Sequence, residues 1–531
     1  MSAPLLAPAA PRHDGDAGLL EALRSAETRL AARVASTVGE DGAVRGICAS
    51  RALESALTLC LLRAEGLFPR RQEQLASFLR RVCATAGSSS FDRALACGAL
   101  HLDAHADAES ALGDFLDEYS HFTAQRKRLM FGLCLAAVGA TPFPSLPPEA
   151  VRIDPGQAPW VDLILRALRV LLACDQGGGA SPEGEAEAAR LAELVGAGQR
   201  EGVWENHVTA HLLALLALSR AGRAREVVRE GATRVAAVQN PDGGVPGIAR
   251  LEPFCTGPAG LALARSQAAP PQLLHRMAGY LVGVQAENGG WGFGGGTEQT
   301  DVDTTAYAAN FLLRLNHDDF RPALRSAVGY FRGTANPDGG FPTYLRGHSS
   351  EPAMTAGAIA ALAGSGVTGE PLTGAVRFLL DSQQENGTFE CGWTLSEGNA
   401  VWRAMWALHA SVLSAAGDLR TRRSAAMWKA FGRLVATQNP DGGWGHIPGC
   451  ESDVTSTAYS VLAFTDAGAT ATHRPVLEKA ASYLLAHFSP EGGYSAPPDQ
   501  VAPRPVPFDC PVFTNVWALT ALAGLRRELA R

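Results

Sequence analysis

The sequence TQNPDGGWGH at residues 437–446 returns along the chain in five altered copies, VQNPDGGVPG, VQAENGGWGF, TANPDGGFPT, SQQENGTFEC and FSPEGGYSA. The first glycines of the six copies are residues 243, 289, 339, 387, 442 and 492, so the steps are 46, 50, 48, 55 and 50 residues. Proline presets φ and glycine permits positive φ, so each copy predicts a tight turn. Two weaker copies, GEDGAVRG at 39–46 and GQREGVW at 198–204, extend the pattern toward the amino terminus. The chain is therefore built from an internal repeat.

The segments on either side of each turn differ in how their apolar residues are arranged. Before the turn at Gly289, the residues Leu273, Met277 and Leu281 share one helical face, as in an amphipathic surface helix. After the turns, segments such as 207–218 are apolar all round, which is typical of buried helices. Because no period-two strand pattern is present, we predict an all-α fold in which helix pairs close into α/α barrels. The alternative is an open solenoid that serves as a scaffold for protein partners.

The composition narrows the class of protein. The chain has 531 residues, with 46% apolar and 19% charged residues, which is the composition of a globular protein. Its formal net charge of −7 is a poor match to a nucleic-acid-binding protein. Its longest apolar run is far below the roughly 18–20 residues that cross a bilayer, and its start lacks a basic leader with an apolar core. Ten cysteines stand singly, without metal-ligand spacing. We expect a soluble cytoplasmic protein with no transmembrane segment.

Two aspartates stand out in the sequence DVDTTA at residues 301–306, at the start of a predicted buried helix. This string resembles the DxDD signature of class II terpene cyclases, and the Gln-x-x-x-Gly-x-Trp phrases at 285–291 and 438–444 resemble their QW motifs. The resemblance implies two α/α barrels, named β and γ, that face each other across an apolar cavity. It predicts a β domain from residues 1–35 and 236–531 and an inserted γ domain from residues 36–235.

The chemistry of that family explains why aspartates belong there. Its reaction begins with protonation of an isolated alkene, a very weak base, so the acid must be neutral, and burial beside a second carboxylate keeps a carboxyl protonated. By resemblance, Asp303 is the proton donor and Asp301 supports it, whereas Thr304 stands where the family usually has a third aspartate. The simpler interpretation of Asp301 and Thr304 is capping of the helix, and the same applies to Asp453 in a later repeat.

The threonine at position 304 also indicates which prenyl diphosphate is the substrate. A DxDTT string resembles that of the drimane-forming sesquiterpene cyclases, which implies farnesyl diphosphate as substrate and a bicyclic product that keeps its diphosphate. The alternative within the class is geranylgeranyl diphosphate with a copalyl-type product. The chain lacks the DDxxD metal motif of the ionising terpene synthases, which agrees with a retained diphosphate.

A diphosphate substrate requires cations. The densest basic cluster is QRKRL at residues 125–129, so Lys127 is a candidate for substrate binding, with a solvated helix face as the alternative. Glu205, in the GVWENH string at 202–207, is a candidate ligand for a Mg²⁺ ion bound together with the substrate, with helix capping as the alternative. Candidate walls of the apolar cavity are Trp291, Phe389 and Trp393. The sequence assigns no oligomeric state.

Overall fold

The computed structural model describes residues 15–102, 108–117, 123–175, 182–411 and 417–531. The chain divides into two compact units, one of residues 1–47 and 251–531 and the other of residues 48–250. The predicted division at residues 35/36 and 235/236, and the assignment of the parts as β and γ domains, stay predictions.

The described residues are overwhelmingly helical. The helices are, in chain order, α1 (Gly15–Ser36), α2 (Ala52–Ala64), α3 (Pro69–Ala84), α4 (Ser90–Leu100), α5 (Ala108–Leu116), α6 (Ala124–Ala137), α7 (Pro159–Asp175), α8 (Pro182–Gly198), α9 (Val208–Arg220), α10 (Arg225–Ala237), α11 (Glu252–Ser266), α12 (Pro271–Gly283), α13 (Val302–Leu315), α14 (Arg321–Thr334), α15 (Pro352–Gly364), α16 (Leu372–Asp381), α17 (Glu397–Ala410), α18 (Asp418–Thr437), α19 (Val454–Asp466), α20 (Arg474–Ala486) and α21 (Val512–Leu529). Short 3₁₀ turns cover Pro148–Ala150, Trp204–Asn206 and Asp318–Phe320. The two-residue strands β1 (Ser50–Arg51), β2 (Val245–Pro246), β3 (Gln500–Val501) and β4 (Pro507–Phe508) form two antiparallel pairs.

Six helices of the larger unit form a closed inner ring. In this ring α11 packs against α13, followed by α15, α17, α19 and α21, and α21 returns to α11. The helices α1, α12, α14, α16, α18 and α20 lie outside it, each against its neighbours in the ring. The inner helices are buried almost all round; in α13, for example, residues 302–312 are all buried. The closed α/α barrel predicted from the apolar inner segments is therefore confirmed for this unit.

The repeated turns connect outer helices to the inner ring, and the two glycines of the turn at Gly289 are required for different reasons. The first glycine of each of the six copies has φ between 81° and 94°. At Gly289 a Cβ would also lie 2.3 Å from the carbonyl oxygen of Ser326 on the next outer helix, so no other residue fits. The second glycine, Gly290, is needed for space alone, because a Cβ there would lie 2.7 Å from the ring of Tyr330.

The glutamine and tryptophan of each QW-type phrase are structural in a similar way. The Gln285 amide donates to the carbonyl of Gly289 at 2.8 Å and to that of Ala323 at 2.9 Å, which fixes the turn to α14. The Trp291 indole donates to the carbonyl of Leu281 at 2.7 Å. The same bonds recur in the phrase that begins at Gln438, whose amide bonds lie at 2.9 Å. These phrases therefore tie each turn both to its own outer helix and to the next one.

The smaller unit is organised around α9. This helix is buried from Val208 to Leu218 and packs against α2, α7 and α10. A buried network links α9 to α2, in which Thr209 and Arg51 both bond to the carboxylate of Glu54. The pairing of β1 with β2 joins the two ends of the unit. Across the described ranges of both units, no helix combines the length and apolarity that a membrane crossing requires.

Candidate active site

Asp301 is the N-cap of α13. Its Oδ1 accepts from the Thr304 backbone N–H at 2.6 Å, and its Oδ2 accepts from the Thr304 hydroxyl at 2.9 Å. In the later repeat, Asp453 caps α19 in the same way and accepts from the Ser456 N–H at 2.8 Å. Capping is therefore present at both aspartates. What distinguishes the α13 copy is a second acid two residues further on, where the α19 copy has Thr455.

Burial gives Asp301 an unusual titration. The side chain is 4% exposed, and loss of solvent raises its pKa to about 7, although the hydrogen bonds from Thr304 act in the opposite direction. The charge of Asp303 raises the pKa of Asp301 further. Asp301 therefore holds a proton up to about neutral pH.

Asp303 is paired with Arg403 of α17. The Arg403 guanidinium donates from Nη2 to Oδ1 of Asp303, and the side chains are only 4% and 12% exposed, respectively. The guanidinium carbon also lies 5.2 Å from the centre of the Tyr307 ring. Burial lowers the pKa of Arg403, but the carboxylate of Asp303 outweighs burial and leaves that pKa raised. Arg403 is thus a permanent cation beside the candidate acid.

The fold leaves a specific space for this guanidinium. A Cβ placed on Gly357 of α15 would lie 3.1 Å from Nη2 of Arg403 and 2.8 Å from the Cβ of Ala306. Glycine therefore lets α13 and α15 approach closely and gives the arginine its room. The pair of Arg403 and Asp303 is built from three helices of the ring.

The sequence analysis does not select Arg403 as a candidate site residue, although the sequence around it contains an indication that it is paired. It lies in VWRAMWALHA at residues 401–410, where the tryptophans are conspicuous and the arginine is the one permanently charged residue. Arginine is almost never fully buried unless it is paired. A charged residue on a helix predicted to be buried therefore indicates a partner, but the sequence does not say which.

Trp393 lies close to the start of α13. Its indole donates to the Thr343 hydroxyl at 2.9 Å, and the carbonyl of Thr343 accepts from the Val302 N–H at 2.9 Å. The Arg504 guanidinium stacks 4.1 Å over the Trp393 ring and donates to Glu351 at 3.1 Å. The structure therefore brings Trp393 next to the aspartate motif, together with an ion pair that the sequence does not reveal.

The other two candidate wall residues hold equivalent places in their repeats. Trp291 and Phe389 both stand two residues after a turn glycine, and they are 0% and 1% exposed. Trp291 also accepts through its carbonyl from the Asp301 N–H at 2.9 Å. These contacts support the turn and the aspartate motif, while contact of either ring with a substrate stays a prediction.

Lys127 and Glu205 both belong to the smaller unit. Lys127 is only 4% exposed, so the solvated helix face is wrong for it, and its Nζ lies 5.7 Å from the Trp160 ring. The His207 ring stacks on Trp160 with 5.2 Å between centroids, and Glu205 precedes His207 by two residues. Burial, followed by the charge of Lys127, lowers the pKa of His207 to about 3, so this histidine is neutral.

The described residues also limit the number of protein ligands that a metal ion could have. They contain no group of three or more His, Cys, Asp or Glu side chains that could hold an ion. Mg²⁺ that arrives with a phosphate substrate requires only one or two protein carboxylates, since water and phosphate oxygens supply the remaining ligands. Glu205, with φ of 47° in a short 3₁₀ turn, offers a single carboxylate of that kind.

Comparisons with known proteins agree with this architecture. The prenyltransferase alpha-alpha toroid domain matches residues 258–393 and 390–502. Drimenyl diphosphate synthase from Streptomyces showdoensis is 42% identical over 506 residues, with 93% of each chain covered. Drimenyl diphosphate synthase from Streptantibioticus cattleyicolor is 39% identical over 517 residues, with 95% of each chain covered. Among solved structures, ent-copalyl diphosphate synthase from Streptomyces platensis shares the fold at a TM-score of 0.59 and 18% identity, covering 94% of this chain and 99% of its own.

Proposed function

Because the chain belongs to the drimenyl diphosphate synthase family of class II terpene cyclases, we propose that it converts farnesyl diphosphate to drimenyl diphosphate. It is an enzyme that begins cyclisation by protonating an alkene. The observation that carries the proposal is the buried Asp303, paired with Arg403 and two residues from the protonated Asp301. Substrate and product have the same composition, so the enzyme is an isomerase.

In the proposed reaction Asp303 gives its proton to the terminal alkene of the substrate. The electron pair of that alkene forms the new C–H bond, and the resulting cation is attacked in turn by the remaining alkenes, which closes two rings. The last cation loses a proton to form an alkene, and the C–O bond to the diphosphate is not broken. General-acid transfer contributes roughly 10²–10⁴-fold to the rate, and stabilisation of the charges adds to it.

Arg403 acts on the acid rather than on the substrate. After proton transfer, Asp303 is a carboxylate, and the buried guanidinium stabilises this charge through the bond to Oδ1. The raised pKa of Asp301 keeps a proton on that side chain up to about pH 7, two residues from the acid.

We assign binding of the diphosphate to Lys127 and, through Mg²⁺, to Glu205. The metal would neutralise phosphate charge and orient the head group. The Nζ of Lys127 is buried 5.7 Å from the Trp160 ring, and at low dielectric the attraction between a cation and a phosphate is strong. The proposal also includes a cytoplasmic location, for which the ten single cysteines are the support.

Glu205→Gln is expected to raise the Mg²⁺ concentration needed for half-maximal rate by about 10–100-fold, because a carboxylate ligand is lost. The KM for the prenyl diphosphate should rise with it, and kcat at saturating metal should change less. Glu201→Gln is the matched control, since Glu201 lies four residues earlier on the same segment and is exposed. An unchanged Mg²⁺ dependence in Glu205→Gln would remove Glu205 from the metal site.

The substrate is tested by separate incubations with farnesyl and geranylgeranyl diphosphate in the presence of Mg²⁺. The products are dephosphorylated and separated by gas chromatography with mass detection. We expect a bicyclic drimane-type alcohol from farnesyl diphosphate and at least a tenfold lower rate with the longer chain. Linear alcohols alone from both substrates would contradict the cyclase function, whereas a copalyl-type alcohol as the faster product would contradict only the proposed chain length.

A further inference from the structure

The barrel of the larger unit contains a cavity near the end of α13 that is opposite to the aspartates. It has a volume of about 640 Å³ and is lined by residues at the carboxyl-terminal ends of α13, α17 and α19. Asp303 stands near the amino end of α13, and Arg314 at the cavity stands eleven residues later. At about 1.5 Å per residue this places roughly 16 Å of helix between the two.

The inner wall of this cavity is aromatic. It is formed by Tyr307, Trp402, Trp406 and Trp517. The Trp402 and Trp406 rings stack with centroids 6.1 Å apart, and Trp517 lies 5.2 Å from Trp402. Volumes of 300–1,000 Å³ with mainly apolar and aromatic walls are typical of small-molecule sites. The cavity therefore has the size and lining of a binding site.

One buried polar group on this wall has no partner among the described residues. Trp517 is 4% exposed and its indole N–H is unpaired. A buried donor without a partner is unfavourable. The wall is therefore suited to a ligand that offers this indole a hydrogen-bond acceptor.

The rim of the cavity is cationic. Four arginines line the cavity against two carboxylates, those of Asp466 and Glu528. Arg265 pairs with Asp466, and both Arg527 and Arg531 bind Glu528 at 2.9 and 3.0 Å. Arg314 is exposed and has no ion-pair partner in the part of the chain that the structure describes. The rim thus has a surplus of positive charge and one guanidinium available for an anion.

We propose that this cavity binds a second, non-reacting ligand, an organic phosphate with an apolar chain. The chain would lie on the aromatic wall, and the phosphate would bind the arginines at the rim, with Arg314 as its main contact. Tyr307 separates this site from the acid, since its ring also packs on Arg403 at 5.2 Å. The ligand class follows from the cavity alone and does not depend on the proposed substrate.

Binding is measured by titration calorimetry in the Asp303→Asn chain, in which turnover of a prenyl substrate is expected to be negligible during the titration. The probes are farnesyl phosphate and dodecyl phosphate, with inorganic phosphate as the control for the head group. We expect two equivalents of farnesyl phosphate per chain, of which the one at the active site rests on the proposed function, and one equivalent fewer when Ala410→Trp is added to fill the cavity. Arg314→Glu should weaken the second site about tenfold, whereas Arg332→Glu, at the exposed end of α14, should not change it.

Dodecyl phosphate bound as tightly as farnesyl phosphate at this site would identify any linear chain as the ligand, and weaker binding would identify an isoprenoid chain. The proposal is overturned if farnesyl phosphate binds with one equivalent in both chains, or if inorganic phosphate binds as tightly as the chain phosphates. Arg314→Glu keeps the test decisive should Ala410→Trp fail to fold. Because the readout is binding, failure here leaves the proposed cyclisation untouched.

Discussion

Asp303→Asn is expected to lower the rate of cyclisation by at least about 10³-fold, because the amide has no proton of sufficient acidity to give to an alkene. Asparagine keeps the volume of the side chain and an oxygen that can accept from Arg403. It also leaves the guanidinium without a counter-charge, which costs about 3–5 kcal/mol in a buried pair. A thermal melt by circular dichroism therefore accompanies the assay, which is run well below the Tm of the variant.

Two variants separate loss of the acid from loss of the fold. Asp453→Asn makes the same replacement at the equivalent helix start of a later repeat, where the aspartate caps α19 through Ser456. Asparagine caps a helix as well as aspartate does, so both rate and Tm should be nearly unchanged. Asp303→Glu retains the carboxyl and should recover part of the activity. Turnover of Asp303→Asn within tenfold of the parent would exclude Asp303 as the acid.

The barrel was predictable because its signals are local. Each turn phrase contains its own glycine, proline and aromatic residue, and the bonds of Gln285 and Trp291 reach only as far as the adjoining helices. The apolar helix after each turn indicates burial without reference to the rest of the chain. The position of Asp301 and Asp303 at the start of such a helix was predictable for the same reason.

The surroundings of the acid were not predictable, because they come from distant parts of the ring. Arg403 follows Asp303 by 100 residues and meets it only when α13 and α17 lie on either side of α15. Arg504 and Glu351 are 153 residues apart and form the ion pair beside Trp393. A repeat that fixes neighbouring helix pairs does not indicate which side chains point at one another across the ring. Those contacts form the surroundings of the acid.

Replacement of Arg403 is expected to change how the rate of cyclisation depends on pH. In the parent enzyme the rate should fall as pH rises through about 7, because Asp301 then loses its proton. Arg403→Gln removes a buried cation from beside the aspartate motif, which favours the protonated form of the motif, so this decline should move to higher pH. The plateau rate at low pH should fall by about 10²–10³-fold, since the carboxylate left by proton transfer is no longer stabilised. A decline that stays near pH 7 would show that the arginine does not act on the acid.

If Arg403 were only structural, its replacement would lower the Tm but would leave the pH at which the rate falls unchanged. Arg403→Lys distinguishes these two roles. Lysine keeps the positive charge but not the guanidinium that lies over Tyr307, so the decline should stay near pH 7 while the rate falls by about tenfold. In Arg403→Ala the space beside Gly357 is vacated, and added guanidinium ion should restore part of the rate and return the decline toward pH 7. Restoration by sodium chloride at equal ionic strength would contradict this account, because only a planar cation in that space can replace the lost bond to Asp303.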